Sequence, residues 1–223
     1  MEELNFDVVV VGGGPAGSSA AHMAAKNGCT VALIEKEKEI AETVRTSGVT
    51  WISDINEFGI PKDCYNPIKK FSFCSPKNYV TIADDVAKAA VLDVRKTYRF
   101  LSTRAKSSGS ELFTSTNVSE VLKDSSGKCV GVVAKSQGKL IQFNAKVVID
   151  ASGFTSIVAK ELGYVTQWKK FGAGAEFEVK TEKLEYDNWW LMVGQEYSPA
   201  GYAWIFPLGN NIVRIGVGVG KPE

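Results

Sequence analysis

The sequence predicts an α/β fold with two parts, a βαβ unit followed by an antiparallel meander, and a second region built on a mixed or antiparallel β-sheet. The first 35 residues contain two apolar, β-branched runs separated by small helix-forming residues. Between Val118 and Phe143, three short apolar segments are divided by turn residues. Beyond about Gly163, polar and apolar residues alternate, which is typical of antiparallel strands.

Composition sets the broad class of the protein. The chain has 223 residues, 44% hydrophobic and 23% charged, which is typical of a soluble globular protein with one large or two modest domains. A net charge of +1 argues against a nucleic-acid binder. No apolar run approaches the roughly 20 residues of a membrane-spanning helix, and the N-terminus lacks a signal-peptide pattern, so we expect a cytoplasmic protein.

Cysteine and histidine usage excludes several kinds of site. The four cysteines have no CxxC spacing, which disfavours a disulfide framework and a zinc site. His22 is the single histidine, so a catalytic triad or a multi-histidine metal centre is not expected. We therefore expect no metal, and any difficult chemistry would belong to an organic cofactor.

The N-terminal elements follow directly from the residue pattern. Asp7–Val11 reads DVVVV, as in a strand that is buried on both faces. The small residues of Pro15–Lys26 predict a helix, and Asn27-Gly28 is a favourable C-terminal stop. Thr30–Ile34 predicts the second strand of the βαβ unit.

The later elements are predicted in the same way. Composition favours a helix over Ala87–Lys106, and Lys146–Asp150 resembles the first buried strand. The other predicted elements are a strand at Glu111–Thr116, the meander strands within Val118–Phe143, an alternating strand at Ala173–Lys180 and a hairpin over Tyr202–Gly220.

A glycine-rich motif lies between the first strand and the first helix. Gly12 allows a tight turn, Gly14 lets a pyrophosphate approach bare backbone, and Gly17 lets the helix lie close to the sheet. The helix N-terminus adds unpaired N–H groups for the diphosphate. The full dinucleotide-binding spacing of a Rossmann-like unit is met by Gly12, Gly14, Gly17, Ala21, Gly28, Val31 and Glu35, so a ligand-free turn is disfavoured.

Glu35 limits the choice of dinucleotide. At the end of the second strand it can accept both hydroxyls of an adenosine ribose, and it would repel a 2′-phosphate. Glu35 therefore favours FAD or NAD over NADP, and it fits FAD and NAD equally well.

Three sequence blocks together point to one family. These are GGGPAG with Glu35, VVIDASGFTS at Val147–Ser156, and GYAWIFP at Gly201–Pro207, which matches a YxWxFP signature. In order and spacing they resemble the geranylgeranyl reductase family, within the flavoprotein superfamily that includes p-hydroxybenzoate hydroxylase. The resemblance covers nearly the whole chain. It implies an FAD cofactor and reduction of isoprenoid double bonds in membrane lipid biosynthesis.

The resemblance also implies a domain division and cofactor contacts. The FAD-binding domain would span 1–72 and 92–164, and a truncated substrate-binding sheet domain would span 73–91 and 165–223. The loop Arg45–Gly48 would lie along the diphosphate and reach towards the flavin, and Val118 would offer backbone groups to the adenine. The implied cofactor residues are Gly12, Gly14, Pro15, Ala16, Gly17, Glu35, Lys36, Arg45, Thr46, Ser47, Arg95, Val118 and Gly153.

Aromatic residues of the YxWxFP block supply the predicted substrate contacts. Tyr202, Trp204 and Phe206 alternate, so they share one face of a strand, with Trp189 and Trp190 as weaker candidates. If Trp204 lies opposite Gly216, the missing side chain leaves a hollow for a long apolar substrate. If it lies opposite Ile215, the rings simply pack, and a single residue of slip separates these alternatives.

Several departures from the family leave the chemistry open. Thr46 stands where many members have cysteine, so no role of that thiol is transferred to this chain. Ser152-Gly153 stands where related hydroxylases have Asp-Gly, which argues against direct use of NAD(P)H and leaves NAD(P)H, ferredoxin or another electron donor open. No proton donor or other catalytic residue is identified. The family's next FAD motif, Gly-Asp-Ala, does not occur before Glu223, so we expect the N-terminal portion of a longer enzyme rather than a diminished relative.

Two rival functions follow from the same residues. One is a flavin-dependent monooxygenase or halogenase on this scaffold, and the other is a fragment that binds FAD or a prenyl lipid without turnover. The leading hypothesis, reduction of a prenyl lipid, would require at least transient contact with a membrane surface.

Overall fold

The structure, a computed structural model, describes residues 1–164 and 168–220. It divides into two compact units, one formed by Met1–Val44 and Tyr98–Gln167 and the other by Arg45–Thr97 and Trp168–Glu223. Each unit is therefore built from two separate stretches of the chain.

The helices and strands are numbered in chain order. In the first half they are β1 (Glu2–Val11), α1 (Pro15–Lys26), β2 (Val31–Ile34), β3 (Val49–Trp51), α2 (Ile52–Glu57), β4 (Tyr65–Ile68), β5 (Lys70–Cys74), β6 (Tyr79–Ala83), β7 (Ala89–Leu92) and α3 (Val94–Ser107). They continue with β8 (Glu111–Phe113), β9 (Thr116–Lys123), β10 (Cys129–Ser136), β11 (Lys139–Asp150), α4 (Ile157–Glu161), β12 (Gly172–Lys180), β13 (Asn188–Val193), β14 (Tyr202–Gly209) and β15 (Ile212–Gly220).

The first unit contains a six-stranded sheet with the order β8-β2-β1-β11-β10-β9. β1 pairs in parallel with both β2 and β11, which is the βαβ arrangement that the sequence predicts. β9, β10 and the start of β11 form the predicted antiparallel meander. The strand predicted at Lys146–Asp150 is the second half of β11. The first half of β11 pairs with β10, and the strand then continues beside β1 to Asp150.

Alternate residues of β1 pack into two separate cores. Val9 and Val11 contact one apolar cluster, around the fully buried Phe143, and Val8 and Val10 contact another that includes Ala21 of α1. Each buried valine contributes about 1.5 to 2 kcal/mol to stability. The DVVVV run is thus buried on both faces, as its composition predicts.

The second unit contains a six-stranded sheet, β12-β15-β14-β13-β5-β6, and a three-stranded sheet, β3-β7-β4. The large sheet is mixed, because β13 and β5 are parallel and the other pairs are antiparallel. β14 and β15 form the predicted hairpin. Asn210 and Asn211 both have positive φ angles, 52° and 61°, as a tight type I′ turn requires.

The helix predicted over Ala87–Lys106 is shorter than expected. Residues 89–92 form β7, in which Ala89, Ala90 and Val91 are fully buried between β3 and β4. Pairing on both edges outweighs the helix propensity of the alanines. The helix α3 begins only after Asp93, whose carboxylate accepts a hydrogen bond from the Lys96 N–H at 3.0 Å and caps the helix.

The unit boundaries differ from the predicted domain boundaries in the middle of the chain. Residues 45–72 lie in the second unit, since β3 and β4 pair with β7 and β5 joins the large sheet. The assignment of one domain to the cofactor and one to the substrate remains a prediction.

Candidate functional site

The glycine-rich turn brings the end of β1 against the end of β11. Gly12 has a φ of +108°, and a Cβ there would overlap with the carbonyl of Ala151. A Cβ on Gly17 would overlap with the carbonyl oxygen of Gly12, so this position must be bare for α1 to lie so close to the turn. The two glycines therefore fix the tight passage from strand to helix for the reasons that the motif predicts.

Gly14 differs from these two glycines because its surroundings are open. It has an extended backbone, and no described atom lies within 4 Å of a Cβ placed there. Pro15 occupies the start of α1, no side chain among the described residues caps this helix end, and its first turn has no acidic residue. The start of α1 thus offers an open, electropositive surface that fits an anionic group such as a diphosphate.

Glu35 lies beside this turn, immediately after β2. Its Oε2 accepts a hydrogen bond from the Gly13 N–H at 2.8 Å, and its Oε1 accepts one from the Glu37 N–H at 2.9 Å. These bonds hold the carboxylate in one orientation. Each oxygen keeps a further lone pair, so both can accept the hydroxyls of a ribose. Lys36 is the next residue and is exposed.

The DASG segment follows the same ends of the strands as the glycine turn, because Asp150, the last residue of β11, pairs with Val11, the last residue of β1. Asp150 accepts hydrogen bonds from the Ser152 N–H and hydroxyl, at 3.0 and 2.6 Å, and from the Ala159 N–H at 2.8 Å. Burial raises the pKa of Asp150, but these hydrogen bonds outweigh burial and leave the pKa below its ordinary value. They fix the loop that presents exposed Gly153, with a φ of +67°.

The first unit therefore brings together many of the predicted cofactor residues. Gly12, Gly14, Pro15, Ala16 and Gly17 form the turn and helix start, with Glu35 beside them and Gly153 beyond Ala151. Val118 lies in β9, at the edge of the same sheet, with its side chain buried. The contact of these residues with a cofactor remains a prediction.

The other predicted cofactor residues lie in the second unit. Arg45 and Thr46 are exposed, and the Thr46 hydroxyl accepts a hydrogen bond from the Gly48 N–H at 3.3 Å. The Ser47 carbonyl accepts a hydrogen bond from Arg214 at 2.6 Å. Arg95 is exposed in the first turn of α3.

The hairpin register decides between the two alternatives for the aromatic face. Trp204 lies directly opposite Gly216. A Cβ on Gly216 would overlap with the indole ring, and Cβ atoms on Gly218 and Gly174 would each lie 3.4 Å from it. Three glycines thus form a floor that the indole covers, and Trp204 itself fills the hollow expected there.

A groove of about 1030 Å³ runs beside this glycine floor. Tyr202, which is 45% exposed, and Trp204 both line it, and their ring centroids are 5.6 Å apart. Phe206 is buried in an apolar core instead, together with Trp189. The remaining lining residues are Lys169 to Ala173, Gly174, Ala200, Gly201 and Gly218 to Gly220.

A charge cluster around the buried Arg214 lies on the same sheet face, and no local motif predicts it. Arg214 is 2% exposed, and its Nη2 donates to Glu178 Oε1 at 2.9 Å, while its Nε lies 3.6 Å from Glu176 Oε1. Burial raises the pKa of Glu176, although the Arg214 guanidinium opposes this shift. The sequence shows Glu176 and Glu178 alternating along one strand and Arg214 within another. Whether they meet depends on the register of β12 against β15, which the sequence does not fix.

Two kinds of feature are absent from the described residues. In residues 1–164 and 168–220, no three His, Cys, Asp or Glu side chains are grouped as a metal site would need. Within the same ranges, no helix combines the length and apolar character needed to cross a membrane.

Comparison with known families gives two matches. Residues 7–181 match the family described as FAD dependent oxidoreductase. Residues 172–223 match the geranylgeranyl reductase catalytic domain, which places β12, β14 and β15 in the matched region. The resemblance predicted from the three sequence blocks is confirmed.

Curated relatives match almost the whole chain. The digeranylgeranylglycerophospholipid reductase of Methanocaldococcus jannaschii is 36% identical over 98% of this chain. Reductase 1 of that name from Methanosphaera stadtmanae is 32% identical over 97% of the chain. The chain spans 57% and 55% of the lengths of these two proteins, which is about half of each.

Solved structures agree on the fold. A geranylgeranyl bacteriochlorophyll reductase-like protein from Thermoplasma acidophilum superposes with a TM-score of 0.90 at 27% identity, over 97% of this chain and 57% of that one. A flavin-dependent brominase superposes with a TM-score of 0.76 at 24% identity, over 97% and 56% of the two chains, and this likeness supports the fold alone. The family match over residues 7–181 indicates FAD as the cofactor.

Proposed function

Because this chain belongs to the FAD-dependent oxidoreductase family, we propose that it is the part of a reductase that binds FAD and a geranylgeranyl chain, whose double bonds the enzyme saturates in membrane lipid biosynthesis. The observation that carries this proposal is the aromatic face of β14 over its glycine floor, within the segment that matches the geranylgeranyl reductase catalytic domain. The names of the curated relatives support the same substrate class.

The residues of the first unit fit FAD. The open backbone at Gly14 and the start of α1 would hold the diphosphate, and Glu35 would hold the adenosine ribose. Arg45, Thr46 and Ser47 are proposed to lie along the cofactor, and Arg95, Val118 and Gly153 to contact it. When bound, FAD supplies the hydride chemistry of the reduction.

The groove beside the glycine floor fits a long apolar chain. Its lining residues are mainly glycine, alanine and aromatic residues, together with Lys169 and Lys170, and Tyr202 is exposed there whereas Trp204 is buried. Saturation of an isoprenoid double bond builds positive charge on carbon, and the negative faces of aromatic rings stabilise such charge. We therefore propose Tyr202 and Trp204 as substrate-binding residues. Phe206 would support Trp204 from the core, since their rings are stacked with centroids 6.0 Å apart.

Replacement of Trp204 tests the substrate assignment. We expect Trp204→Ala to weaken prenyl-substrate binding and slow double-bond reduction by about tenfold or more, because the aromatic wall of the groove is lost. Product formation by mass spectrometry and substrate affinity are the measurements. Trp190→Ala is the matched control, because Trp190 pairs with Ile205 and lies on the opposite face of the sheet. Equal effects of both substitutions, or no effect of Trp204→Ala, would contradict the assignment.

Oxygen consumption separates this function from its rivals on the same fold. Alkene saturation needs no oxygen, whereas monooxygenation and halogenation consume it. Under anaerobic conditions, we expect the prenyl substrate to reoxidise the reduced flavin. In air, we expect no substrate-dependent oxygen uptake. A substrate-dependent oxygen uptake would instead support a monooxygenase or halogenase. A prenyl lipid substrate also implies transient contact with a membrane surface, and the electron donor would be NAD(P)H or ferredoxin.

A further inference from the structure

Arg214 is a charged residue in an unusual position. It is the third residue of β15, is 2% exposed, and shares the sheet face of Trp204 and the glycine floor. Glu178, directly opposite on β12, accepts its Nη2 hydrogen bond at 2.9 Å. Glu176 provides a second carboxylate near its Nε, at 3.6 Å. The two carboxyl groups occupy one side of the guanidinium.

The remaining nitrogen of the guanidinium binds backbone. Nη1 of Arg214 donates to the carbonyl oxygen of Ser47 at 2.6 Å. The next residue, Gly48, is buried with a φ of +72°, and a Cβ there would lie 3.2 Å from Arg214 Nη1 and 2.6 Å from Val94 Cγ2. The side chain of Arg214 is therefore packed directly against the backbone of this loop.

Other hydrogen bonds hold Thr46 and Gly48 of the Arg45–Gly48 loop. The Gly48 carbonyl accepts a hydrogen bond from Leu92 at 2.7 Å, which fixes the last residue to β7. The Gly48 N–H donates to the Thr46 hydroxyl at 3.3 Å, within the loop itself. Only the bond from Arg214 connects the Ser47 peptide to a distant buried side chain among the hydrogen bonds described for this loop.

Burial of a guanidinium is costly unless its donors are used, and an apolar side chain of similar size would often pack as well or better. The carboxylates explain the charge balance. They do not explain why Arg214 extends to a loop carbonyl, for which a planar fork with several donors is well suited. Arg214 thus contacts two carboxylates, of Glu178 and Glu176, and one backbone carbonyl, of Ser47.

We propose that Arg214 is a positioning residue that holds the Arg45–Gly48 loop in one conformation, supported by Glu178 and Glu176. The inference rests on the proposed function, in which this loop lies along FAD. Arg214 would thereby link the strand beneath Trp204 to the loop that contacts the cofactor.

The test uses trypsin cleavage after Arg45, an exposed loop residue, in the protein without FAD. Arg214→Met keeps much of the side-chain bulk and removes every donor. We expect cleavage after Arg45 to become about tenfold faster, because release of the Ser47 carbonyl allows the loop to open locally. FAD affinity, from flavin fluorescence titration, should fall by about tenfold as well.

Arg214→Lys and Lys146→Met serve as the comparison variants. The lysine keeps the charge but lacks the planar fork, so we expect cleavage and FAD affinity between those of wild type and Arg214→Met. Lys146 is exposed and paired with Asp7 at 2.6 Å, so Lys146→Met removes an ion pair whose two residues are both far along the sequence from the loop, and it should change neither readout. If Arg214→Met does not fold, Glu178→Gln is the alternative, because it removes the charge of the carboxylate that binds Arg214 Nη2. We then expect smaller changes in both the cleavage rate after Arg45 and the FAD affinity.

The outcomes separate this inference from the proposed function. Unchanged cleavage after Arg45 in folded Arg214→Met would overturn the inference, as would faster cleavage with unchanged FAD affinity. If wild-type protein binds no FAD, the proposed function fails, and the cleavage rates alone decide whether Arg214 holds the loop. Faster cleavage with weaker FAD binding, partly restored by lysine, would support it.

Discussion

At the scale of single residues, two glycines of one motif carry different physical constraints. Gly17 is needed because a side chain would overlap with backbone, and Gly14 is surrounded by open space. The motif predicts this difference, because it assigns Gly14 to the diphosphate and Gly17 to close packing of the helix. The structure adds the cause at Gly17: the obstruction there is the carbonyl oxygen of Gly12, whose backbone has a positive φ.

Alanine at each glycine makes this difference measurable. Gly17→Ala should lower the free energy of unfolding by about 2 to 3 kcal/mol, because the Cβ forces α1 away from the turn. Gly14→Ala should leave the unfolding free energy of the FAD-free protein within about 0.5 kcal/mol of wild type, since its φ of −66° suits alanine. It should still weaken FAD binding, because its Cβ occupies the surface proposed for the diphosphate. Urea unfolding and flavin titration would check both, and a Gly14→Ala protein with normal affinity would argue against that surface.

Glu176 makes stability depend on pH. Its raised folded pKa means that its contribution to stability is complete below the ordinary value of 4.5 and is lost as pH rises through the folded pKa. Glu176→Gln should remove this loss, so the variant gains stability relative to wild type across that window. Urea unfolding at a series of pH values is the measurement.

The pKa of Asp150 is shifted in the opposite direction to that of Glu176, so Asp150 serves as a control. Its lowered folded pKa means that its contribution is present above the ordinary value of 3.8 and is lost as pH falls through the folded pKa. Asp150→Asn should therefore be most destabilising near neutral pH, and the difference from wild type should shrink in acid. The same pH slope for both variants would contradict the two assignments.

At the scale of elements, the residue pattern predicted most strands and the pairing within the βαβ unit, the meander and the hairpin, but not the pairing of β3, β4 and β7. β1, α1, β2 and the β14–β15 hairpin follow from local sequence, because each has a periodicity and a turn signal of its own. β7 was predicted as helix because Ala89 and Ala90 favour helices, and only the flanking strands β3 and β4 make it a strand. The hairpin register was left open for the same reason, since a slip of one residue changes no local preference.

The register predicts coupling between Trp204 and the glycine opposite it. Gly216→Ala should destabilise the protein by about 2 kcal/mol, because the new Cβ overlaps with the indole ring. The same change should cost much less in a Trp204→Ala background, although a contact of 2.8 Å with the Ala175 carbonyl would keep part of the cost. A double-mutant cycle from urea unfolding measures this coupling. Additive effects of the two substitutions would contradict the packing of the ring on this floor.

At the scale of the whole molecule, order and spacing of three sequence blocks were enough to predict the family, which the comparisons confirm. The glycine turn and Glu35 could be predicted because they lie within one continuous stretch of the chain. Arg214 could not, because its partners Ser47 and Glu178 are distant in sequence and meet it only through folding. Local motifs thus predicted the glycine turn and the position of Glu35 after the second strand, but not the contacts of Arg214.

The position of β11 has a consequence for the order in which the chain can fold. β1 ends at Val11, but its second parallel neighbour, β11, is not synthesised until residues 139–150, so a ribosome must add more than a hundred residues before this pair can form. Until then, one hydrogen-bonding edge of β1, with its run of four valines, stays open to other polypeptides. The nascent chain should therefore depend on chaperones that shield such edges, and expression at lower temperature should raise the yield of folded protein.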